Sequence, residues 1–520
     1  MLRKRFLNIL LASVLLMGIF AACAPGATTP TAPATPAAPA AGGRAAIQPG
    51  LTIAVNQETP SVAPARHTAA VGHWKNDLTH NGLFRATYDM RVVPALVREF
   101  HAVSDTIWEF TLHEGILFHN MEEMTAKDVY ASWHYVRTTP DGAASHASVV
   151  GIEVIDTYTF RLDTGVPNAL VFTDLHFQAN YIMPASLIEA GHDFSLIPIG
   201  SGPFVFEEWR AGDSLTFRRF DYYFEADRMP SVEYVHWRVI PEGVSRTIAL
   251  ETGEVNFNAH VAVPDLPRLR EHPDIYVAEF PSITLRWWIF NHDDPRFGNV
   301  NVRRALEMAL DKEAMVTAGY DGFAIPVREQ FPTAFAGVST EGVRDFDPEG
   351  ARALLAQEGI DPATLGFELF IFTEEMRRQA EVAQANLADI GVPITISMMD
   401  FATWLDVTAL GQFEVAMGNF TASNVLSKIR STMHLDFIGP QNRSRINDRE
   451  LSDWIDATVA TIDDNARLAE LYRLTTWANE NPTWIPINLA MQVRAFNSNI
   501  VAPELAPGGG LNINMIYWVY

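Results

Sequence analysis

The stretch that begins at Asp347 alternates helix and strand signals, and this alternation restricts the chain to an α/β fold. Asp347 followed by a proline is typical of a helix start, and Gly359 is typical of a helix end. An apolar run over 367–372 predicts a strand, Thr373 can cap the next helix, and the apolar run over 394–398 predicts a second strand. Strand, helix and strand within about 32 residues fit a right-handed parallel crossover. The sequence therefore predicts a parallel sheet covered by helices.

The N-terminal half of the body carries strand patterns as well. Residues 51–55 alternate like an opening strand, and so do residues 108–112. A Glu-Gly pair at 114–115 and the apolar residues 116–118 then predict a hairpin. Thr125, with an acid three residues later, predicts a capped helix start. Both halves of the body are thus expected to mix strands and helices.

The first 23 residues have the three-part pattern of a secretory signal. A basic stretch over 1–5 precedes fifteen almost wholly apolar residues, 6–20. That run is shorter than the roughly 20 residues that a membrane-spanning helix needs. Cys23 is the only cysteine of the chain and stands where bacterial lipoproteins carry their acylated cysteine, although Phe20 replaces the usual aliphatic residue. We expect a lipoprotein signal peptide over 1–23, and the alternative is a chance cysteine beside an ordinary cleavage site.

The residues behind Cys23 predict a tether. Residues 24–43 contain only Ala, Pro, Gly and Thr, which cannot build an apolar core, so we expect a solvated linker over 24–45. Such a linker would hold a folded body off a membrane to which the lipid on Cys23 attaches it. The predicted location is the outer face of the cytoplasmic membrane or the periplasm.

Charge and cysteine content exclude several classes of protein. The formal net charge is −24, which repels nucleic acid, so we expect no nucleic-acid partner. With one cysteine, the body has no disulfide and is held together by burial alone. About 470 residues beyond the linker are enough for two or three domains.

The common catalytic patterns are missing. The sequence has no P-loop, GxGxxG, HExxH or GxSxG motif, and its fifteen histidines lack the spacing of a zinc site. Cys23 belongs to the signal, so no cysteine nucleophile remains. We therefore expect a binding protein that is not an enzyme, with no cofactor and no metal.

Tryptophans offer the clearest candidates for a binding surface. Trp287 and Trp288 are adjacent, and neighbouring side chains on a strand point to opposite faces, so one can lie in the core while the other lines a cleft. Asn291 follows closely, and Trp404 precedes the pair 419–420 (NF). Each of these side chains can instead be purely structural.

A longer series of segments matches a known family in order. The most specific pieces are 93–96, 104–105, 108–112, 114–115, 118–120 and 125–129, and further pieces are 200–204, 208–209, 212–214, 238–241, 249–250, 253–256, 290–291, 297, 300, 302–306, 309 and 311–312. In this order they resemble the peptide/nickel-type (family 5) extracellular solute-binding proteins of ABC transporters. The resemblance covers about residues 51–520.

This resemblance implies a particular architecture and role. The family has a two-lobed, periplasmic-binding-protein-like fold of type II, with an extra subdomain in the first lobe and the ligand enclosed between hinged lobes. We expect lobe I over 46–282 with the extra subdomain at about 85–200, lobe II over 283–490, and a return to lobe I over 491–520. The expected role is to capture a short peptide, as a monomer, and to deliver it to the transmembrane subunits of an ABC permease.

One departure from the family concerns the ligand. Peptide-binding members carry a Gly-Gly-Trp-x-x-Asp-like run whose Asp pairs with the peptide α-amine, and Ser423 stands at that acidic position here. Because a desolvated ammonium without a counter-charge is costly, either Asp436 or Glu58 replaces the acid or the ligand has no free amine. The residues expected to contact the ligand are Glu58, Trp287, Trp288, Asn291, Trp404, Asn419, Phe420, Thr421, Ala422 and Ser423.

Three alternatives to a peptide receptor remain at this stage. The same fold and role can serve an oligosaccharide, a metal chelate or another polar solute, which the missing acid and the twelve tryptophans favour. A secreted lipoprotein hydrolase would need a nucleophile and a base, and none can be named. A receptor that passes its solute to a sensor protein is the third.

Overall fold

The computed structural model describes residues 50–58, 61–64, 70–87, 91–138, 149–175, 181–421, 424–505 and 510–519, with the side chains of 70–73 and 174 left aside. The predicted signal peptide and linker, Cys23, Ala422 and Ser423 lie outside the described residues. Among the helices that the structure describes, none is both long enough and apolar enough to cross a bilayer.

Nineteen strands are described. In chain order they are β1 (Leu51–Val55), β2 (Phe84–Ala86), β3 (Val92–Pro94), β4 (Val97–Ala102), β5 (Ile107–Leu112), β6 (Gly151–Val154), β7 (Thr159–Asp163), β8 (Phe204–Arg210), β9 (Ser214–Arg219), β10 (Tyr234–Val239), β11 (Phe257–Asn258), β12 (Ile275–Phe290), β13 (Ala324–Pro326), β14 (Phe367–Ile371), β15 (Ile394–Met398), β16 (Val415–Thr421), β17 (Trp484–Asn497), β18 (Ile500–Val501) and β19 (Tyr517–Trp518).

The described α-helices connect and cover these strands. In chain order they are α1 (Ala70–Thr79), α2 (Ala126–Arg137), α3 (Val171–Asp174), α4 (Ala185–Glu189), α5 (Gly243–Glu251), α6 (Leu266–Arg270), α7 (Pro295–Gly298), α8 (Val300–Met308), α9 (Lys312–Tyr320), α10 (Pro348–Gln357), α11 (Glu374–Asp389), α12 (Phe401–Ala409), α13 (Val425–Met433), α14 (Arg449–Ala460) and α15 (Asp464–Glu480).

One large sheet runs through the body. Its order is β15-β14-β16-β12-β17-β11-β1-β10-β9-β8, and β13 pairs with β17 beside this path. Strand β1 is parallel to β10 and β11, and β14 is parallel to β15 and β16, whereas β12 and β17 are antiparallel. The sheet therefore has a parallel region at each side, joined through the two long central strands.

The central strands β12 and β17 change register where the two regions meet. Pairing runs from Ile275 to Pro281 opposite Asn497 to Met491, and resumes at Leu285 opposite Leu489. Between these two paired stretches, β12 contains two more unpaired residues than β17. The ladder of hydrogen bonds is therefore interrupted at 282–284 of β12. Such bulges bend a strand and raise its twist, which re-aims the region that follows.

The predicted crossover is confirmed. Asp347 caps α10 by accepting a hydrogen bond from the Gly350 amide, and Gly359 follows the helix with a φ of 69°. Thr373 caps α11 through the Met376 amide. Strand β14 then pairs in parallel with β15 over its whole length. The prediction of an α/β fold is confirmed with it.

The predicted hairpin at 108–118 is wrong. Strand β5 pairs antiparallel with β4 and β7 in a separate sheet of order β4-β5-β7-β6, and residue 117 makes only an isolated bridge to Glu123. Gly115, at a φ of 74°, turns the chain out of the sheet instead of back along it. The buried alternation of 107–112 marks a central strand whose partners lie farther away in the sequence.

Three groups of apolar clusters hold these sheets. Two clusters, one on each face of the β14-β16-β12-β17 region, are built from residues of 283–489, with Leu170 added to one of them. Two further clusters lie around β1 and β10–β11, and another fills the space between the β4–β7 sheet and α2. The site described below lies on the Leu170 side of the sheet.

Candidate ligand-binding site

Strands β12 and β16 place the first two site residues side by side. Their antiparallel register sets Trp287 opposite Gly418 and Leu285 opposite Phe420. Opposite residues share a face, and residues two apart on one strand do too, so Trp287 and Phe420 point the same way. Their rings meet edge to face with centroids 4.7 Å apart.

A pocket of about 430 Å³ opens on this face. Its size falls within the range of small-molecule sites. All of its lining residues belong to the stretch predicted as the second lobe. They are Trp287, Phe372, Phe401, Trp404, Leu405, Asn419, Phe420, Lys428, Ser431, Thr432, Pro440, Gln441 and Arg443.

Aromatic rings form one wall of the pocket. The Trp404 ring lies 5.1 Å from that of Phe372 and stacks on Phe401 at 6.2 Å, while Trp287 contacts Phe420 and Trp484. Phe401 is 53 % exposed and stands at the rim, whereas Trp404 is only 4 % exposed. The wall is an apolar surface against which a flat or aliphatic group can pack.

Gly418 sets how closely the two tryptophans approach the strand. A Cβ at this position would lie 2.9 Å from Cζ2 of Trp404 and 3.1 Å from Nε1 of Trp287. Both distances are shorter than ordinary carbon contacts, so only glycine fits without moving a ring. The indole N–H groups of both tryptophans are buried and have no acceptor among the described residues.

Lys428, on α13, supplies the first positive charge. Its Nζ lies 4.9 Å from the centroid of the Phe420 ring, a cation–π contact. Burial lowers the pKa of Lys428 to about 8, and no nearby carboxylate of the described residues raises it again. Within the described part of the chain its ammonium has no hydrogen-bond or ion-pair partner.

Arg443 supplies the second positive charge. Its Nη1 donates to the Leu405 carbonyl at 2.7 Å and to Thr408 Oγ1 at 2.6 Å, and its guanidinium lies 5.4 Å from the Trp404 ring centroid. Burial lowers the pKa of Arg443, and the charge of Asp406 opposes that shift. Both of these hydrogen bonds come from Nη1 and fix the guanidinium at the wall. The other N–H groups of Arg443 donate to neither of the two acceptors.

None of the described residues that line the pocket is acidic. Glu58 accepts hydrogen bonds from Trp209 Nε1 at 2.9 Å and from the Gly212 amide at 2.8 Å, so it fastens the β8–β9 turn. Asp436 is exposed beside His434, away from the pocket lining. The structure therefore brings neither candidate acid to this pocket.

The other expected residues divide into structural and peripheral positions. Trp288 is fully buried on the opposite face of β12, against Phe367. Asn291 is buried and donates to the carbonyls of Gly411 and Phe413, so it holds the turn before β16. Neither side chain lines the pocket, and their contact with a ligand stays a prediction.

Among the residues expected at 419–423, the first two line the pocket. Asn419 is exposed at its edge and Phe420 is buried in its wall. Thr421 is exposed and its hydroxyl contacts that of Thr284 at 2.9 Å, outside the lining. The positions of Ala422 and Ser423 lie outside the described residues.

Sequence reasoning missed the two cations and two of the rings. Phe372 directly follows β14, Phe401 begins α12, and Arg443 lies in the loop after α13, so no local spacing connects them with Trp287. Lys428 had one usable signal: it is one of only five lysines in the chain and lies in the helix directly after 418–423. The rarity of lysine and the position of Lys428 next to the expected ligand segment together indicate a binding residue.

A loop from the first half of the chain reaches this region. Leu170 packs into the same cluster as Trp287 and Trp404. The Ala169 amide donates to the Val459 carbonyl at 2.8 Å, and Asn424, the cap of α13, contacts Thr173 Oγ1 at 3.2 Å. Helix α13 thus connects the pocket with a segment from outside the 283–490 region.

The pocket and its lining indicate a class of protein. No group of three or more His, Cys, Asp or Glu side chains in that part of the chain can hold a metal ion. The pocket offers surfaces and charges for holding a solute, in a sheet with two regions joined by long strands. This is the arrangement of a binding protein.

Comparison with known proteins gives the family. Residues 91–429, more than half of the chain, match the bacterial extracellular solute-binding proteins, family 5 Middle. The protein belongs to this family, whose members bind small ligands for ABC transporters and are not enzymes. The two-lobed fold expected from the sequence is confirmed.

Individual relatives are distant but cover nearly the whole body. The glutathione-binding protein GsiB of Salmonella paratyphi A is 24 % identical over 456 residues, which are 84 % of this chain and 88 % of that protein. HbpA2 of Haemophilus parasuis aligns with a TM-score of 0.82 at 21 % identity, over 91 % of this chain and all of its own. The binding protein DppA of Helicobacter pylori, solved with the peptide STSA, aligns with a TM-score of 0.71 at 22 % identity, over 90 % and 98 % of the two chains.

Proposed function

We propose that this protein captures short peptides or peptide-like solutes in the pocket beside Trp287 and Phe420 and delivers them to an ABC importer. The observation that carries the proposal is that four residues expected from the sequence line one pocket of suitable size. They are Trp287, Trp404, Asn419 and Phe420. The aromatic wall accommodates a side chain, and the polar rim accommodates the backbone or termini of a ligand.

The peptide assignment has support from relatives. One similar structure holds a four-residue peptide, and the GsiB relatives are named for glutathione, which is itself a peptide-like compound. An exposed strand such as the end of β16 can add main-chain hydrogen bonds that do not depend on side chains. An oligosaccharide or another polar solute is the second candidate, favoured by the aromatic wall and by the lack of an acid for the peptide amine among the described lining residues.

Closure of the lobes is part of the proposal. The bulged segment 282–284 of β12 lies between the two sheet regions and is our candidate for the hinge, together with the matching part of β17. In this proposal lobe I covers about 46–282 with an extra subdomain at about 85–200, lobe II covers 283–490, and residues 491–520 return to lobe I. Closing would bury the pocket and create a shape that a permease can distinguish from the open form.

Attachment to the membrane completes the proposal. We place Cys23 as the lipid-bearing residue behind a cleaved signal, with 24–45 as the tether, and the protein as a monomer. Labelling with a radioactive or alkyne fatty acid in a bacterial host tests this, with Cys23→Ser as the control. Incorporation into the variant would contradict the assignment.

The central experiment measures ligand-dependent stability. The protein is unfolded thermally with di- to pentapeptides, oligosaccharides and nickel chelates, because a ligand at 100 times its Kd adds about 2.7 kcal/mol to the folded state. Stabilisation by peptides supports the proposal. Stabilisation only by sugars or chelates would keep the transport role and overturn the peptide assignment.

A pair of exposed phenylalanines tests the location of the site. Phe401 is 53 % exposed at the pocket rim, and Phe346 is 43 % exposed and lines no part of the pocket. Loss of the rim ring should weaken affinity about 5- to 30-fold, since burying such a side chain is worth about 1–2 kcal/mol. Equal affinity of Phe401→Ala and Phe346→Ala would place the ligand elsewhere.

A further inference from the structure

The pocket carries a charge opposite to that of the protein. The chain has a formal net charge of −24, with 62 acidic and 38 basic side chains. Yet the charged residues of the described pocket lining are Lys428 and Arg443 alone. A concave site with low-dielectric walls focuses the field of such charges on whatever enters it.

Lys428 is the unusual member of this pair. Elsewhere in the described chain, the buried Lys312 pairs with Glu307 at 3.4 Å, and the buried Lys75 donates to the Ser61 carbonyl at 3.0 Å. Lys428 lies over an aromatic ring without such a partner, although it is largely withdrawn from water. An unpaired and partly desolvated ammonium is unfavourable unless something else supplies the counter-charge.

Arg443 is positioned to share that role. Its contacts with the Leu405 carbonyl and Thr408 Oγ1 hold it in the wall, and both of these acceptors are neutral. Asp406 acts on it only through space, without a hydrogen bond. Ser431, Thr432 and Gln441 also line the pocket, and the hydroxyls of Ser431 and Thr432 donate to the Lys428 carbonyl at 3.1 and 2.6 Å.

We infer that this pocket binds a carboxylate: the ligand is an amphipathic anion whose apolar group packs on the Trp287–Trp404 wall while its carboxylate pairs with Lys428. This inference rests on the proposed function and specifies the ligand class for the same site. It also accounts for Ser423 at the position where the family resemblance led us to expect an acid. The pocket selects negative charge, and a ligand ammonium placed in it would face Lys428 and Arg443.

Desolvation favours a carboxylate over an ammonium in this pocket. A carboxylate that enters the pocket loses water, but it meets an ammonium that has already lost part of its own. The bond formed is charge-assisted, which makes it stronger than a bond between neutral groups. An ammonium in the same place loses its water and is repelled by Lys428 and Arg443.

The test uses matched ligands. The dipeptide Ala-Phe, its C-terminal amide and its N-acetyl derivative are titrated calorimetrically into the protein at pH 7, followed by 3-phenylpropionate and 3-phenylpropionamide. We expect the amide to bind about 10- to 100-fold more weakly than the free acid, and acetylation to change affinity little. Equal binding of Ala-Phe and its amide would overturn the inference.

Variants of Lys428 test whether this residue causes the preference for the acid over the amide. Lys428→Met keeps the aliphatic stem over Phe420 and should lose the acid-over-amide preference, with acid affinity falling about 10- to 100-fold, since a hydrogen bond to a charged group is worth about 1.5–3 kcal/mol. Lys428→Arg should retain most of the preference. Lys127→Met removes an exposed lysine of α2 with the same charge change and should have no effect.

The outcomes separate this inference from the proposed function. If no peptide binds but 3-phenylpropionate binds in preference to its amide, the peptide proposal fails and the carboxylate site stands. If peptides bind without regard to their carboxylate, and Lys428→Met behaves like Lys127→Met, the carboxylate site fails and the peptide proposal stands.

Discussion

Replacing Lys428 by Met should stabilise the ligand-free protein at neutral pH. Lys428 is partly buried in the pocket wall and has no protein counter-charge within the described residues, so its charged form is disfavoured in the folded state. Met has a similar length and keeps the apolar contact with Phe420. The same change that weakens anion binding should therefore make the empty protein more stable, as is common for binding-site residues.

The size of the effect follows from the pKa. Burial lowers the pKa of Lys428 from its ordinary 10.5 to about 8. Each unit of difference between the folded and unfolded states corresponds to about 1.4 kcal/mol, and the residue is still partly exposed, so we expect a gain of about 1–3 kcal/mol at pH 7. Because the folded pKa lies below the unfolded one, the wild-type protein regains this stability as pH rises from 8 to 10.5. The advantage of the variant should therefore vanish near pH 10.5.

The assay is urea unfolding of both proteins at pH 7, 8.5 and 10, with Lys127→Met as the matched control. An exposed substitution such as the control should stay within about 0.5 kcal/mol of the wild type at every pH. A Lys428→Met variant that is less stable than the wild type at pH 7 would refute the reasoning. So would a gain that persists undiminished at pH 10.

Three further predictions concern packing, pH and a buried charge cluster. Gly418→Ala should cost about 1–3 kcal/mol in urea unfolding and impair ligand-induced stabilisation because its Cβ meets the Trp404 ring, whereas Gly151→Ala, which has open space, should be near neutral; equal midpoints would contradict this. Glu307→Gln should lower the free energy of unfolding by about 3 kcal/mol, because this carboxylate, whose side chain is 1 % exposed, neutralises Lys312 and Arg344. An unchanged urea midpoint would show that these ion pairs contribute nothing to stability. Stability should fall between pH 6.5 and 4, by about 2 kcal/mol per group at pH 5, because three half-buried histidines have a folded pKa of about 4 and the unfolded chain binds their protons first. A urea midpoint that stays flat from pH 7 to 5 would exclude this. These histidines are His119, His260 and His292.

Local sequence determined the α/β unit at 347–398, because capping residues and apolar periodicity act over a few neighbouring positions. Asp347 and Thr373 cap their helices as predicted, and β14 and β15 pair in parallel. Strand alternation was also enough to predict that Trp287 and Trp288 point to opposite faces. The order of family-like segments further indicated the two-lobed fold before any contact was known.

Only the tertiary structure decided which tryptophan faces the pocket and what surrounds it. Trp287 lies beside Phe420 because β16 pairs with β12 in one register, and that register is fixed by packing on both faces of the sheet. Lys428 and Arg443 reach the same pocket from a helix and a loop that follow β16, more than 140 positions after Trp287. Long-range packing also explains why the predicted hairpin at 108–118 is wrong. Strand β5 pairs with β4 and β7 because that arrangement buries the sheet as a whole. Short-range signals fix where helices and strands begin and end, whereas long-range packing fixes which side chains meet and therefore which charge a ligand encounters.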